Sequence, residues 1–386
     1  MRVGLVTTSR ADWGIYTSVV TAIGADPDLE LRIYVGGSHL VAAHGRTASE
    51  ITGAGFCVAA EVECLLASDS PEAVAKSTAL AVAGFAQLYS RERPDIIVVL
   101  GDRFEMHAAA LAAVPFVIPI AHIHGGEVTE GAMDEALRHG ITKMAHLHFV
   151  STEAYAARVR QLGEEGWRVH VVGAPSLDGI SEVPAVDAAV FHEKHGVDLP
   201  ERYILATFHP ATLQWRVARE QVAEVLDALE SVAMPVLFTM PNADTANAAI
   251  RMAIIERARR CAARWQTVES LGRAGYLAAL RSASAVVGNS SSGIIEAASF
   301  RVPVVDIGDR QRGRIAGANV MRVRVDSQAI EAAIQRALSP EFAASLTGLE
   351  NPYYAGGAGR RIAQVLSSAD RSALLAKRFV DIQGSM

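Results

Sequence analysis

Ionisable residues crowd an otherwise apolar stretch between Gly101 and His148. The chain reads Gly-Asp-Arg-Phe-Glu at 101–105, His-Ile-His-Gly-Gly-Glu at 122–127 and Asp-Glu-Ala-Leu-Arg-His at 134–139. Carboxylates and imidazoles in such a cluster are the equipment of proton transfer. They are costly to hold in apolar surroundings unless they are paired or do chemistry. Asp102 follows a strand end and a glycine, so its carboxylate is expected to face a cleft; capping the helix that follows is the alternative. His124 and Glu127 flank two glycines, which let a substrate approach the backbone closely. Asp134 and Arg138 are four apart on one helix face, as a surface ion pair or as site residues. Arg103 and Glu105 can form a local ion pair.

A second constellation suits an anion. Gly288-Asn-Ser-Ser-Ser-Gly293 lies between a strand-like run and a helix. Glycines admit a ligand to backbone N–H groups, the helix start adds partial positive charge, and Ser290, Ser291 and Ser292 can donate O–H. Ser capping of the helix is the plainer reading. Glu296, further into that helix, can accept from ribose hydroxyls. This is not a Walker motif, because no Gly-Lys-Ser/Thr follows. Thr8-Ser-Arg-Ala-Asp12 repeats the strand, polar turn and helix order, with Arg10 able to reach a phosphate and Asp12 able to cap. His209, within Thr-Phe-His-Pro, follows another strand and suits a diphosphate contact or proton transfer. His39, His122, His146 and His148 read individually as satisfied buried histidines.

These residues need elements to place them. Strand-like runs at Arg2–Thr7, Leu31–Val35, Ile96–Leu100, Phe116–Ala121 and Leu147–Ser151 alternate with helical ones. A second series runs through Tyr203–Thr207, Val236–Thr239, Ala285–Val287 and Val302–Ile307. Such alternation means βαβ units and parallel sheets. The expected fold is α/β, with two Rossmann-like domains and a cleft between them. The first covers 1–178 and the second 179–360, with a linker near Ile180–Val197. A C-terminal helix at about 361–386 would pack back on the first domain. Ligands in such sheets bind at the carboxyl ends of strands, where the motifs fall.

Composition narrows the function. Half of the 386 residues are hydrophobic, a fifth are charged and the net charge is −6. With no basic run, nucleic acid is not expected as a partner. The longest apolar run, Ala108–Ala121, has 14 residues including Pro115 and Pro119, too few to span a membrane. A strand from Val3 leaves no room for a signal peptide. Three cysteines (Cys57, Cys64, Cys261) show no paired or metal-site spacing. A soluble protein of a reducing cytoplasm is expected.

Together the motifs resemble the sugar-nucleotide 2-epimerases, in the hydrolysing branch that acts on UDP-N-acetylglucosamine. Gly-Asp-Arg-Phe at 101–104, Gly-Gly-Glu at 125–127, Asp-Glu-x-x-Arg-His at 134–139, Thr-Phe-His-Pro at 207–210, Pro-Asn-Ala-Asp at 241–244 and Gly-Asn-Ser-Ser-Ser-Gly at 288–293 occur in order. The likeness spans nearly the whole chain, from Ser-Arg-Ala-Asp to Gly-Asp-Arg-Gln-Arg-Gly-Arg at 308–314. It implies a glycosyltransferase-B type fold, with a UDP-sugar substrate and a homodimer or homotetramer. It implies Ser290 and Ser291 on the diphosphate, Glu296 on the ribose, and Arg10 and Arg310 as further nucleotide contacts. It implies acid–base roles for Asp102 and Asp134, supported by Arg138 and His209. Where relatives carry His-Ile-Glu-Gly-Gly, this chain has His124, so either His124 or Glu127 takes that proton-transfer role. This departure also fits a sugar modified at C4 or C6.

The implied chemistry starts with loss of UDP, because the sugar C2–H is not acidic beside a saturated C1. Developing positive charge at C1 acidifies C2–H, a base removes it, and a glucal forms. Water addition with protonation at C2 from the other face gives the free manno sugar. No redox cofactor or metal is required. The rivals are a non-hydrolysing 2-epimerase, whose opening motif is usually Gly-Thr-Arg-Pro-Glu, a glycosyltransferase of the same fold, and a nucleotide-sugar binding protein. Sialic acid, legionaminic acid, capsule and aminosugar antibiotic synthesis are the pathways open to it.

Overall fold

Among the described residues, runs of β-branched residues free of internal proline form thirteen strands in two separate sheets. The computed structural model describes residues 1–42, 45–241 and 245–381. Residues 242–244 of the Pro-Asn-Ala-Asp motif lie outside the described residues. Contacts divide the chain into two compact units. The first comprises Met1–Glu127, Asp134–Asp178 and Tyr353–Met386, and the second Val128–Met133 and Gly179–Pro352.

In the first unit the strands are β1 (Arg2–Thr7), β2 (Glu30–Gly36), β3 (Val58–Val62), β4 (Ile96–Leu100), β5 (Ile120–Ile123), β6 (Leu147–Val150) and β7 (Val169–Val171). All pair in parallel, in the order β3-β2-β1-β4-β5-β6-β7. Every residue of β4 is buried, as expected of a central parallel strand covered on both faces. The helix Ala358–Ser367 returns to this unit and packs on the helix Arg10–Ala25. A Cβ on Gly359 would lie 2.5 Å from the Ser18 backbone, so a glycine permits that approach.

The second unit has β8 (Ile204–Thr207), β9 (Val236–Thr239), β10 (Trp265–Val268), β11 (Ala285–Gly288), β12 (Val304–Ile307) and β13 (Val320–Val323). Their order is β10-β9-β8-β11-β12-β13, again all parallel. Each sheet reverses its strand order beside its first strand, between β1 and β4 and between β8 and β11. Those are the topological switch points where such folds bind ligands. Among the described residues, no helix is long and apolar enough to cross a membrane.

Several elements differ from the sequence expectation. The run Phe116–Ala121 is not all strand: Val114–Phe116 is a 3-10 turn, and β5 starts at Ile120. Pro115 and Pro119 cannot donate to a ladder, and Val117 sits at φ 55°. Inside the expected linker, Ala188–His195 is a helix whose first turn is capped by Asp187. Strands β3, β7, β10 and β13 are additional, and all lie toward sheet edges where sequence alternation is weak.

Candidate active site

The carboxyl ends of β4 and β5 carry the densest polar cluster of the first unit. Asp102 follows Gly101 just beyond β4. It does not cap the following helix, whose N-cap is Arg103. Its Oδ2 is instead in close contact with Arg138 Nη2. Arg138 is buried on the helix Asp134–Met144, and its Nη1 donates to the His124 carbonyl at 2.8 Å. Glu127 Oε2 lies 4.0 Å from that same Nη1. The guanidinium therefore joins the turn after β4 to the turn after β5, a task suited to its fork of donors.

His124 is the first residue beyond β5 and has φ 63°, an uncommon conformation for a side-chain-bearing residue. Its backbone N–H donates to the Phe149 carbonyl at 2.9 Å, which fixes the turn. Its Nδ1 lies 2.5 Å from Glu127 Oε1, and Ser151 Oγ donates to the same oxygen at 3.1 Å. His124 Nε2 is buried and has no hydrogen-bond partner. Both His124 and Glu127 are buried. A histidine oriented at one nitrogen by a carboxylate and open at the other can move a proton. Asp134 begins the helix that carries Arg138.

Beside this cluster, at the ends of β1 and β2, lies a second buried polar group. His39 bridges Thr7 Oγ1 at 2.9 Å and Thr47 Oγ1 at 2.8 Å. Burial pushes its pKa down to about 4, so it is neutral at pH 7. Asp12 Oδ2 accepts from Thr8 N–H at 3.1 Å and Thr8 Oγ1 at 2.8 Å. Ser9 in turn accepts from Asp12 N–H, so Asp12 belongs to a reciprocal cap, and Arg10 starts the helix. Glu105 is buried with Arg103 Nε 3.4 Å away. Burial raises its carboxyl pKa against the opposing pull of Arg103.

In the second unit, the loops after β8, β11 and β12 converge on Asn289. Its side chain accepts from His209 N–H at 2.7 Å and donates to the His209 carbonyl at 2.8 Å. Its own carbonyl accepts from Arg310 Nη1 at 3.0 Å and Gln311 Nε2 at 2.9 Å. Gly288, at φ 143°, must be glycine, because a Cβ would overlap the Thr207 carbonyl. Ser290 caps the short helix Ser291–Ile295 by accepting from Ser292 N–H. Glu296 follows that helix and is buried. Tyr276 lies beside Ser292 and Thr207, and burial pushes its pKa up to about 12. Asp306, at the end of β12, is raised by burial to about 6 despite Arg322 and Arg310.

The chain between Glu127 and Asp134 belongs to the second unit. There the Val128 carbonyl accepts from Arg314 Nε at 3.2 Å, and Glu130 pairs with Arg312 at 2.6 Å. Met133 N–H donates to Thr212 Oγ1 at 2.8 Å. Thr212, Arg312 and Arg314 thus hold Val128–Met133 within the second unit.

The sequence assigns no role to Asn289 or Ser151, and His122 is expected only as a satisfied buried histidine. Asn289 had a signal, since it stands inside the glycine-serine motif. Ser151 had none, because it meets Glu127 only through the pairing of β5 with β6. No group of three or more His, Cys, Asp or Glu that could hold a metal occurs among the described residues.

Comparison with known proteins identifies the family and the fold. The profile for UDP-N-acetylglucosamine 2-epimerase matches residues 21–367. The chain is 36% identical over 334 residues to the UDP-N,N'-diacetylbacillosamine 2-epimerase (hydrolyzing) of Legionella pneumophila, covering 86% of this chain and 88% of that one. It is 32% identical to the GDP/UDP-N,N'-diacetylbacillosamine 2-epimerase (hydrolyzing) of Campylobacter jejuni, over 99% of both chains. The crystal structure of the UDP-GlcNAc 2-epimerase of Neisseria meningitidis bound to UDP-GlcNAc superposes with a TM-score of 0.80 at 17% identity, covering 95% of this chain and 99% of that one. That likeness shows the fold, two parallel-sheet domains of the glycosyltransferase-B type. The chain belongs to the UDP-N-acetylglucosamine 2-epimerase family.

Proposed function

We propose that the protein is a hydrolysing 2-epimerase. It takes a UDP-2-acetamido sugar and water to UDP and the free manno-configured sugar. The observation that carries this reading is the buried His124–Glu127 pair beside the Arg138–Asp102 pair. One group can take the C2 proton and another can return one, as inversion at C2 requires.

The first step breaks C1–O, and the bonding electrons leave with UDP. Ser290, Ser291 and Ser292, with Arg310, Arg10 and His209, are the assigned contacts for the departing diphosphate, and Glu296 is the contact for the ribose. His124 Nε2 then accepts the C2 proton, and the C–H electrons form the C1–C2 double bond of a glucal. Glu127 holds the imidazole through Nδ1 and stabilises its charged form. This division of labour is supported by the open Nε2 of His124 and by the enclosure of Glu127 by His124 and Ser151. Asp102 and Asp134 are assigned to the reverse proton transfer at C2 and to activation of water at C1, with Arg138 positioning Asp102.

The named relatives from Legionella and Campylobacter support UDP-N,N'-diacetylbacillosamine as substrate, with UDP-N-acetylglucosamine as the simpler alternative. The protein is assigned to the cytoplasm, supported by its three free cysteines. Leu111, Val114, Phe116 and Val117, exposed in one short stretch, support a homo-oligomer. A light-scattering mass of one chain would contradict that assembly.

Phosphorus NMR of each UDP-sugar with the protein tests the reaction. Conversion of the diphosphate signals to those of free UDP is expected with one of the two sugars. A new UDP-sugar with the nucleotide still attached would instead mean a non-hydrolysing epimerase.

A further inference from the structure

His122 lies outside the chemistry assigned above, yet its ring touches all three segments that carry it. It sits in β5, two residues before His124, and is fully buried. Its Nε2 lies 2.7 Å from the carbonyl of Gly101, the residue before Asp102. A carbonyl only accepts, so Nε2 carries the proton and donates. Nδ1 is then the acceptor, and Thr142 Oγ1 lies 3.3 Å from it. Thr142 is one helical turn beyond Arg138, and its hydroxyl donates to the Arg138 carbonyl at 3.1 Å, so its single proton is shared between that carbonyl and Nδ1.

The third contact is with the glycine pair. Gly125 does not need glycine for its backbone angle, since its φ is not in the left-handed region. It needs glycine for space: a Cβ there would stand 3.0 Å from His122 Nδ1 and 3.3 Å from Thr142 Oγ1. The turn that carries His124 and Glu127 therefore rests directly on the His122 ring.

We infer that His122 is a positioning residue for the epimerisation, a neutral Nε2–H imidazole that sets the turn of Asp102, the helix of Arg138 and the turn of His124 and Glu127 against one another. The assignment rests on the epimerase reading for its kinetic consequences. Its geometry stands apart from that reading. Burial, which pushes the His122 pKa down to about 3, agrees with a ring that keeps one tautomer near neutral pH. Errors of ~1 Å in reacting groups can lower turnover by about 100-fold, so a hub of this kind acts on kcat.

The test has two arms. In the intact protein labelled with 15N-histidine, long-range proton–nitrogen spectra should show His122 neutral with the proton on Nε2 between about pH 5.5 and 8, well above its depressed pKa. An imidazolium or an Nδ1–H tautomer in that range would overturn the assignment. The kinetic arm measures release of UDP from UDP-N,N'-diacetylbacillosamine and UDP-N-acetylglucosamine. His122→Ala is expected to lower kcat by about 100-fold with KM within about threefold. His122→Gln restores a donor toward Gly101 and should recover about tenfold of that loss. Thr142→Val preserves shape, removes the hydroxyl at Nδ1 and covers the case in which His122→Ala does not fold. It should lower kcat by about threefold or more. Unchanged kcat in folded His122→Ala or in Thr142→Val, or a rise in KM alone, would overturn the inference. If the wild-type protein turned over neither sugar, the epimerase reading would fail, and the tautomer arm would still decide the geometry.

Discussion

Glu127 Oε1 lies 2.5 Å from His124 Nδ1, while the other ring nitrogen of His124 has no partner. A carboxylate placed this way fixes the tautomer and stabilises the imidazolium formed by proton uptake. Glu127→Gln keeps the shape and removes the charge. Turnover is expected to fall by about 100- to 10,000-fold, in the range seen for general bases and their orienting groups. UDP affinity measured by titration calorimetry should stay within about twofold. Undiminished turnover would remove the pair from the mechanism.

Arg138 holds Asp102 and the His124 carbonyl at once, so its two terminal nitrogens do different work. A lysine has a single charged nitrogen and cannot reproduce that fork. Arg138→Lys should lower kcat by about 100-fold and leave UDP binding intact. Asp102→Asn should abolish turnover with the same retained binding. Steady-state kinetics beside calorimetry separates the two quantities. A variant that turned over normally would show that its residue is not needed.

Most of the scaffold was legible because parallel strands are apolar and bounded by glycine and polar turns. Ile96–Leu100 is the clearest case. The strands that escaped notice are short edge strands such as Val169–Val171, whose pattern is too brief to stand out. The site was partly legible. Asp102, His124, Glu127 and Arg138 announced themselves as charges in apolar surroundings, and they do meet. What the linear pattern does not carry is pairing across strands. His122 and His148 stand opposite each other on β5 and β6, and Ser151 reaches Glu127 from the end of β6. The anchoring of Val128–Met133 within the second unit likewise depends on loops about 180 residues further along the chain.

Asn289 joins His209, Arg310 and Gln311, on loops assigned above to the nucleotide. Asn289→Ala removes the side-chain bonds to His209 while leaving the serines in place. Each buried donor or acceptor left unsatisfied costs about 1–3 kcal/mol. UDP affinity should therefore weaken by about tenfold or more, read by calorimetry. Unchanged affinity would show that the loop holds its shape without Asn289.

Buried neutral histidines make the fold sensitive to mild acid. Burial lowers the pKa of His39 to about 4, of His122 to about 3 and of His146 to about 4. The unfolded chain protonates these rings near pH 6.5 and the folded chain does not, so stability falls as pH drops from about 6.5 toward 4. The slope is about 1.4 kcal/mol per pH unit for each such histidine. Glu164 titrates below this window. Burial alone would raise its pKa, but His148, Lys143 and Lys377 hold it to about 2, so its contribution is lost only as pH falls below about 4. The melting temperature should be level from pH 7.5 to about 6.5 and fall from there to pH 4.5. His146→Asn, which keeps an acceptor for the Ile120 N–H, should flatten the slope. A flat profile in the wild-type protein would contradict this account.

The central claim is that UDP leaves, C2 loses its proton and a free sugar of inverted C2 configuration is released. Proton NMR of the reaction in D2O reads all three at once, with UDP-N,N'-diacetylbacillosamine and UDP-N-acetylglucosamine as substrates. The account predicts free UDP together with a free manno-configured sugar carrying deuterium at C2. A released sugar that keeps its C2 proton and its gluco configuration would contradict it.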